Sequence, residues 1–148
     1  MVETVLHANL VDSIVSWVRE EYCTRDLCLY ADTSLGRFGD MPPRLYGFIP
    51  DVYVSTFADD LFIIGEAKRA VDWEASRTRH QLRAFLRFLG KKRGALLVVA
   101  TEWSSVATAR SVVHVLQASV GAPDVSLAFL DDTGGSACRE GPLQVKTT

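Results

Sequence analysis

The sequence predicts an α/β domain in which a mixed central sheet is flanked by helices. Three observations predict it. Apolar residues recur with helical period in three stretches and with strand character in five, in the order helix, strand, strand, strand, helix, strand, helix, strand. The second and third strands are joined only by Phe57-Ala58-Asp59-Asp60, a hairpin length that makes them antiparallel neighbours. The later strands are separated by helical segments, the crossovers that parallel neighbours require.

Each element has a local reason. Over residues 5–22, Leu10, Val11, Ile14, Val15, Val18 and Tyr22 form one apolar sector and Asp12, Ser13, Ser16 and Glu20 fall opposite. At about 100° per residue, Glu21 lands between Leu10 and Ile14 on that sector, an odd place for an acid. Leu27–Asp32 reads as a short strand, and Ser34–Gly47, with Gly36, Gly39, Pro42, Pro43 and Gly47, as a loop. Asp51–Thr56 and Leu61–Ala67 form the hairpin. Residues 73–89 return to helical period through Leu82, Phe85, Leu86 and Leu89, with Gly90 at the stop. Ala95–Ala100 is a buried strand, Glu102–Val120 a helix ending at Gly121, and Val125–Leu130 the last strand. Residues 1–132 are expected to form a single domain, and residues 133–148, which lose all periodicity, a flexible tail.

With 148 residues, 48% hydrophobic and 23% charged, the chain has enough apolar material for one core. Its net charge of −2 excludes a generally polycationic binder. Cys23, Cys28 and Cys138 are an odd set without metal-ligand spacing, expected as reduced thiols. Met1-Val2-Glu3 lacks the basic start of a signal peptide, and the longest apolar runs are far below the roughly 20 residues of a membrane helix, so a cytoplasmic protein without membrane contact is expected. The absence of Gly-x-Gly-x-x-Gly and of Gly-x4-Gly-Lys-Ser/Thr removes most support for nucleotide-cofactor chemistry.

The residues able to carry chemistry converge at the hairpin. Asp51 opens one strand and Glu66 closes its antiparallel neighbour, which brings the two carboxylates to the same end of the sheet. Lys68 shares the strand face of Glu66 because side chains alternate with period two. Two such carboxylates can hold Mg²⁺, with Mn²⁺ as a substitute and the backbone carbonyl of Ala67 as a further oxygen. The lysine can orient or deprotonate an attacking water, or neutralise charge on phosphate.

Pro50-Asp51, fourteen intervening residues and Glu66-Ala67-Lys68 resemble the Pro-Asp…(Asp/Glu)-x-Lys signature of the restriction-endonuclease-like nuclease superfamily. The element order resembles that superfamily's αβββαβ core, here with an additional C-terminal helix and strand. Gly47-Phe48-Ile49-Pro50-Asp51, the Glu-x-Lys strand, and the helix carrying Gln81 and Leu86-x-x-Leu89-Gly90 are similar to the virus-type replication-repair nucleases and the archaeal Holliday-junction resolvases. The resemblance implies a Mg²⁺-dependent deoxyribonuclease, an endonuclease or a junction or flap resolvase, in DNA repair, recombination or a mobile element. It further implies a first-helix acid at the metal, for which Glu21 is the candidate and Asp12 or Glu20 the substitutes. Gln81 takes the place of a glutamine near the scissile phosphate, and Phe85 stands where a Gln-x-x-x-Tyr pattern would have tyrosine. The alternative is a nucleic-acid-binding module of the same fold, catalytically weak or inactive, acting as a subunit of a larger complex.

The charge distribution supports a polyanionic partner. Residues 66–93 hold nine Lys/Arg and three acids, a local charge of +6 against −8 elsewhere. Arg79, Arg83 and Arg87 recur every four residues and Lys91 continues their ridge, with Arg69 and Arg77 nearby, which suits a phosphate backbone. One site per domain means one cut per domain, so cutting both strands of a duplex takes two copies, which is compatible with a homodimer. The loop before Pro50 could reach into a groove with Arg37, Arg44 and Tyr46, or could cap the sheet.

Overall fold

The structure is a computed structural model that describes residues 5–33, 36–38, 41–134 and 138–141. Met1-Val2-Glu3, residues 34–35 and 39–40 of the expected loop, the side chain of Arg37, and residues 135–137 and 142–148 of the expected tail lie outside the described residues.

Helix α1 (Val5–Glu21) is followed by strands β1 (Leu27–Thr33), β2 (Gly36–Phe38), β3 (Val52–Thr56) and β4 (Phe62–Lys68), helix α2 (Ser76–Leu89), strand β5 (Ala95–Thr101), helix α3 (Val106–Val120), and strands β6 (Ser126–Asp131) and β7 (Cys138–Glu140). The seven strands among the described residues form one mixed sheet in the order β2-β1-β3-β4-β5-β6-β7. β4, β5 and β6 are mutually parallel and the other neighbours antiparallel. The two parallel pairings require crossovers, which α2 and α3 supply.

The expected α/β architecture is therefore present, and both faces of the sheet are covered. Ile64, Leu97, Val99, Leu127 and Phe129 pack under Leu82, Phe85, Leu86 and Leu89 of α2 and Ala109, Val113 and Leu116 of α3. Val52, Val54, Ile63, Leu96, Val98 and Ala100 pack under Leu10, Val11, Ile14, Val15 and Val18 of α1. Double coverage explains why β4 and β5 are buried along their whole length and read as continuous apolar runs. Each fully buried Leu or Ile contributes about 1.5–3 kcal/mol.

Gly65 lets α1 approach the sheet. A Cβ there would lie 2.6 Å from Ile14 Cγ2 and 3.0 Å from Val52 Cβ.

The structure corrects several boundaries. The expected loop contains β2, which pairs with β1 at one sheet edge. The expected tail contains β7, which extends the other edge along β6 and is held by Glu140, paired with Arg110 and, at 2.8 Å, with His114 of α3. Strands of three residues are too short to show a period, and edge pairing supplies the order that local sequence does not. The helix expected over 73–89 begins instead as a 3₁₀ turn, Ala70–Glu74. The Arg69 N–H donates to Asp72 Oδ2 at 2.8 Å, and extended Ala75 separates this turn from α2. The helix expected over 102–120 likewise opens with a 3₁₀ turn at Trp103–Ser105. No helix among the described residues is long and apolar enough to cross a membrane.

Candidate active site

The site forms where the β3–β4 ladder ends. Its last backbone pair on this side is Val52↔Gly65, so Asp51 and Glu66 stand opposite each other one step further on. Pro50 is buried and has no N–H to give a ladder, which marks the strand's start. Side chains continue the pairing beyond it. The Asp51 N–H donates to Glu66 Oε1 at 2.9 Å, and the Ala67 N–H donates to Asp51 Oδ2 at 2.9 Å. Each carboxylate is thus fixed by the backbone of the opposing strand, without dependence on a flexible partner.

Lys68 completes the group. Its Nζ lies 3.2 Å from Glu66 Oε2 and donates to Gln81 Oε1 on α2 at 2.5 Å. Glu66 is only 2% exposed and Lys68 9%. An ammonium carries three donors, and these two contacts leave one for a further acceptor. Gln81 holds the Lys68 head in place through the packing of α2 on the sheet.

Burial pushes the Glu66 carboxyl up to about 8, and the nearby Asp51 charge adds to the rise; the Lys68 ammonium and the Asp51 N–H act against it.

The structure brings Asp51, Glu66, Lys68 and Gln81 together, with Ala67 contributing its N–H to the clasp. It does not bring Glu21 to them. Glu21 lies at the last residue of α1, 3.5 Å from Arg139 of β7, while the first turn of α1 is the part that reaches the site. Fourteen residues of helix, about 21 Å, separate the two places. Asp12 and Glu20 line a separate cleft of about 330 Å³ with Leu130 and Asp131 at the end of β6. The helical phase identified the buried sector of α1, but phase carries no information on which strand end each turn crosses.

The residue that α1 does deliver is His7, which sequence reasoning missed. Its Nε2 lies 3.4 Å from Asp51 Oδ2. Only its position in the first turn of a helix crossing the sheet distinguishes it, and that is a tertiary fact.

Asp51 and Glu66 are the donors that could hold a hard cation. Among the described residues no group of three or more His, Cys, Asp and Glu side chains converges to hold a metal. Asp51 Oδ1 has no partner among the described residues, whereas Oδ2 is engaged by Ala67 and His7.

The basic segment divides into two parts. Arg77 lies over the Phe48 ring at 5.5 Å, Arg87 over Tyr46 at 5.9 Å, and Lys91 over Tyr46 at 5.4 Å. These cations meet the loop that leads into Asp51. Arg79 and Arg83 make no ion pair among the described residues. Arg69, directly after Lys68, has a buried Nε without a hydrogen-bond partner among the described residues. His80 is exposed on α2. Comparison with protein-family models, with curated proteins and with solved structures finds no match to this chain.

Proposed function

We propose that this chain is a metal-dependent nuclease of the restriction-endonuclease-like superfamily, hydrolysing phosphodiester bonds in DNA as an endonuclease or a junction or flap resolvase. The observation that carries the proposal is the convergence of Asp51, Glu66 and Lys68 at one strand end, with Gln81 of the following helix bonded to the lysine. The order α1, β1, β3, β4, α2, β5 supports it, with β2 as an edge addition.

The donor set fits Mg²⁺ or Mn²⁺. Two carboxylates face each other, one is buried with its pKa raised by that burial and by the Asp51 charge, and an Asp51 oxygen is left over. Mg²⁺ is commonly held through one or two carboxylates, the rest of its shell being water and substrate oxygens, so a two-acid site suits it. Asp51 and Glu66 would hold the ion, with the Ala67 carbonyl as a third donor. Bound there, it supplies Lewis acidity to a phosphate oxygen and acidity to water.

The chain's own residues do the remaining work. The third Lys68 donor is directed to the attacking water or to a non-bridging phosphate oxygen, and Gln81 keeps the ammonium from swinging away. In the reaction water adds to phosphorus and gives up a proton, the bond to the leaving oxygen breaks, and that oxygen takes up a proton in turn, so that the net change is addition of one water across the phosphodiester.

The test uses Asp51→Asn, Glu66→Gln and Lys68→Ala with Mg²⁺ on plasmid, flap and four-way-junction DNA. Each substitution is expected to lower cleavage at least about 100-fold, and calorimetric Mn²⁺ binding is expected to vanish in Asp51→Asn and Glu66→Gln. Unchanged cleavage in all three variants would refute the assignment. DNA binding without metal binding in the wild type would favour the binding-module reading.

A further inference from the structure

The turn Leu45-Tyr46-Gly47-Phe48 holds a residue that its backbone does not favour. The Leu45 N–H donates to the Phe48 carbonyl at 2.7 Å and the Phe48 N–H returns the bond to Leu45 at 3.0 Å, closing a two-residue hairpin turn. Its central residues have φ of 49° and 90°, the signs and sizes of a type I′ turn. Such turns take Asn, Asp or Gly at the first central position, because a bulky side chain at positive φ is strained. Gly47 meets this demand at the second position and Tyr46 does not at the first. The turn is also braced: Arg44 Nη1 donates to the Gly47 carbonyl at 2.9 Å, Leu45 is buried, and Phe48 packs edge-on against Phe85 of α2. The frame is rigid, and the strained residue at its tip remains 49% exposed.

The surroundings of the ring point to a ligand chemistry. Arg87 and Lys91 lie 5.9 Å and 5.4 Å from its centroid, and Lys91 Nζ also donates to the phenolic oxygen at 2.8 Å. A half-exposed aromatic ring with two cations against it is the combination that binds an unpaired nucleotide, the base stacking on the ring and its phosphate meeting the charges. Tyr46 precedes Asp51 by five residues, and Arg87 follows Gln81 by six residues on α2, about 9 Å along its axis, with Lys91 two residues past the helix end. The turn therefore stands beside the candidate site, on the side where Phe48 and Phe85 join the loop to α2.

We propose that Tyr46 is a stacking platform for an unpaired base of the DNA, so that the strand engaged by this protein is single-stranded where it passes the turn. This rests on the nuclease reading and narrows its substrate to flapped, branched or single-stranded DNA.

The test measures binding of a fluorescein-labelled oligothymidylate, and of a blunt duplex of equal length, by anisotropy in EDTA, so that cleavage does not intervene. Tyr46→Asn suits the turn and should leave thermal stability equal or higher. It is expected to weaken single-strand binding about tenfold or more, with a much smaller effect on the duplex. Tyr46→Phe, which keeps the ring, is expected to restore most of the affinity. Phe57→Ser, which removes an 80% exposed aromatic at the opposite end of the β3–β4 hairpin, should change neither. Undiminished binding in Tyr46→Asn, equal losses on both DNAs, or no single-strand binding by the wild type each overturns the platform. Mg²⁺-dependent cleavage by the wild type that is lost in Glu66→Gln is read separately: if it holds while the platform fails, the nuclease assignment stands alone, and if it is absent while Tyr46 still governs single-strand binding, the nuclease assignment falls and the platform belongs to a binding module.

Discussion

Burial and the facing Asp51 carboxylate raise the Glu66 pKa to about 8, so the folded chain keeps a proton that the unfolded chain releases near 4.5. The folded value is the higher one. The stability from this group is therefore fully present below pH 4.5 and is lost progressively as pH rises to about 8. The slope is at most about 1.4 kcal/mol per pH unit. Glu66→Gln removes the titration while its amide oxygen can still accept the Asp51 N–H. Denaturant unfolding of both proteins in EDTA across this window is expected to show the wild type losing stability with pH more steeply than the variant. Parallel curves would mean that Glu66 ionises at an ordinary pH and that the carboxylate pair is not strained. The same residue illustrates what sequence can reveal at this scale. Asp51, Glu66 and Lys68 were legible because strand period and a short hairpin connection fix their relation locally. His7 was not, because its distance to Asp51 depends on where α1 crosses the sheet.

At the scale of elements, Gly65 sets that crossing. It lies one residue before Glu66, and a Cβ placed on it would meet Ile14 and Val52, both fully buried. Gly65→Ala is expected to cost about 1–3 kcal/mol by overpacking, read as a lower denaturation midpoint. Ile14→Ala removes the methyl responsible, so the double variant should be less destabilised than the sum of the single variants. Strict additivity would show that the helix does not rest on this glycine. The covered elements were legible from sequence for the same reason that they are stable: β4, β5 and α2 bury long apolar sets that leave a period or a continuous run. β2 and β7 have only three residues each and acquire order by pairing with open edges. Glu21 shows the complementary failure. The apolar sector of α1 is centred on Leu10, Ile14 and Val18 as expected, yet the last turn extends to Arg139 of β7, where an acid is matched by a base and not by a metal site.

At the scale of the molecule, the net charge of −2 conceals an uneven distribution: +6 over residues 66–93 and −8 over the rest. The fold gives these charges sides. The basic segment includes α2, on one face of the sheet, while α1 on the other presents Asp12 and Glu20 beside Asp131. A polyanion is then drawn to the α2 side and repelled from the α1 side, an effect that salt weakens. Within the basic segment, Arg87 and Lys91 are engaged by Tyr46, whereas Arg79 and Arg83 have no ion pair among the described residues and are the simplest phosphate contacts. Neutralising a phosphate contact lowers the dependence of log affinity on log salt by about 0.7 for single-stranded and 0.9 for double-stranded DNA. Arg79→Gln with Arg83→Gln should therefore reduce that slope by about 1.4 to 1.8 if both side chains meet phosphates. Asp12→Asn with Glu20→Gln should leave the slope unchanged, because those groups lie on α1, across the sheet from the proposed DNA-binding side. The measurement is a salt titration of DNA affinity in EDTA for the wild type and both double variants. If the arginine variant keeps the full slope, the ridge is an ordinary solvated helix face. If the acidic variant changes the slope instead, the DNA approaches across α1, and the candidate site at the end of β4 is not where the charge distribution delivers it.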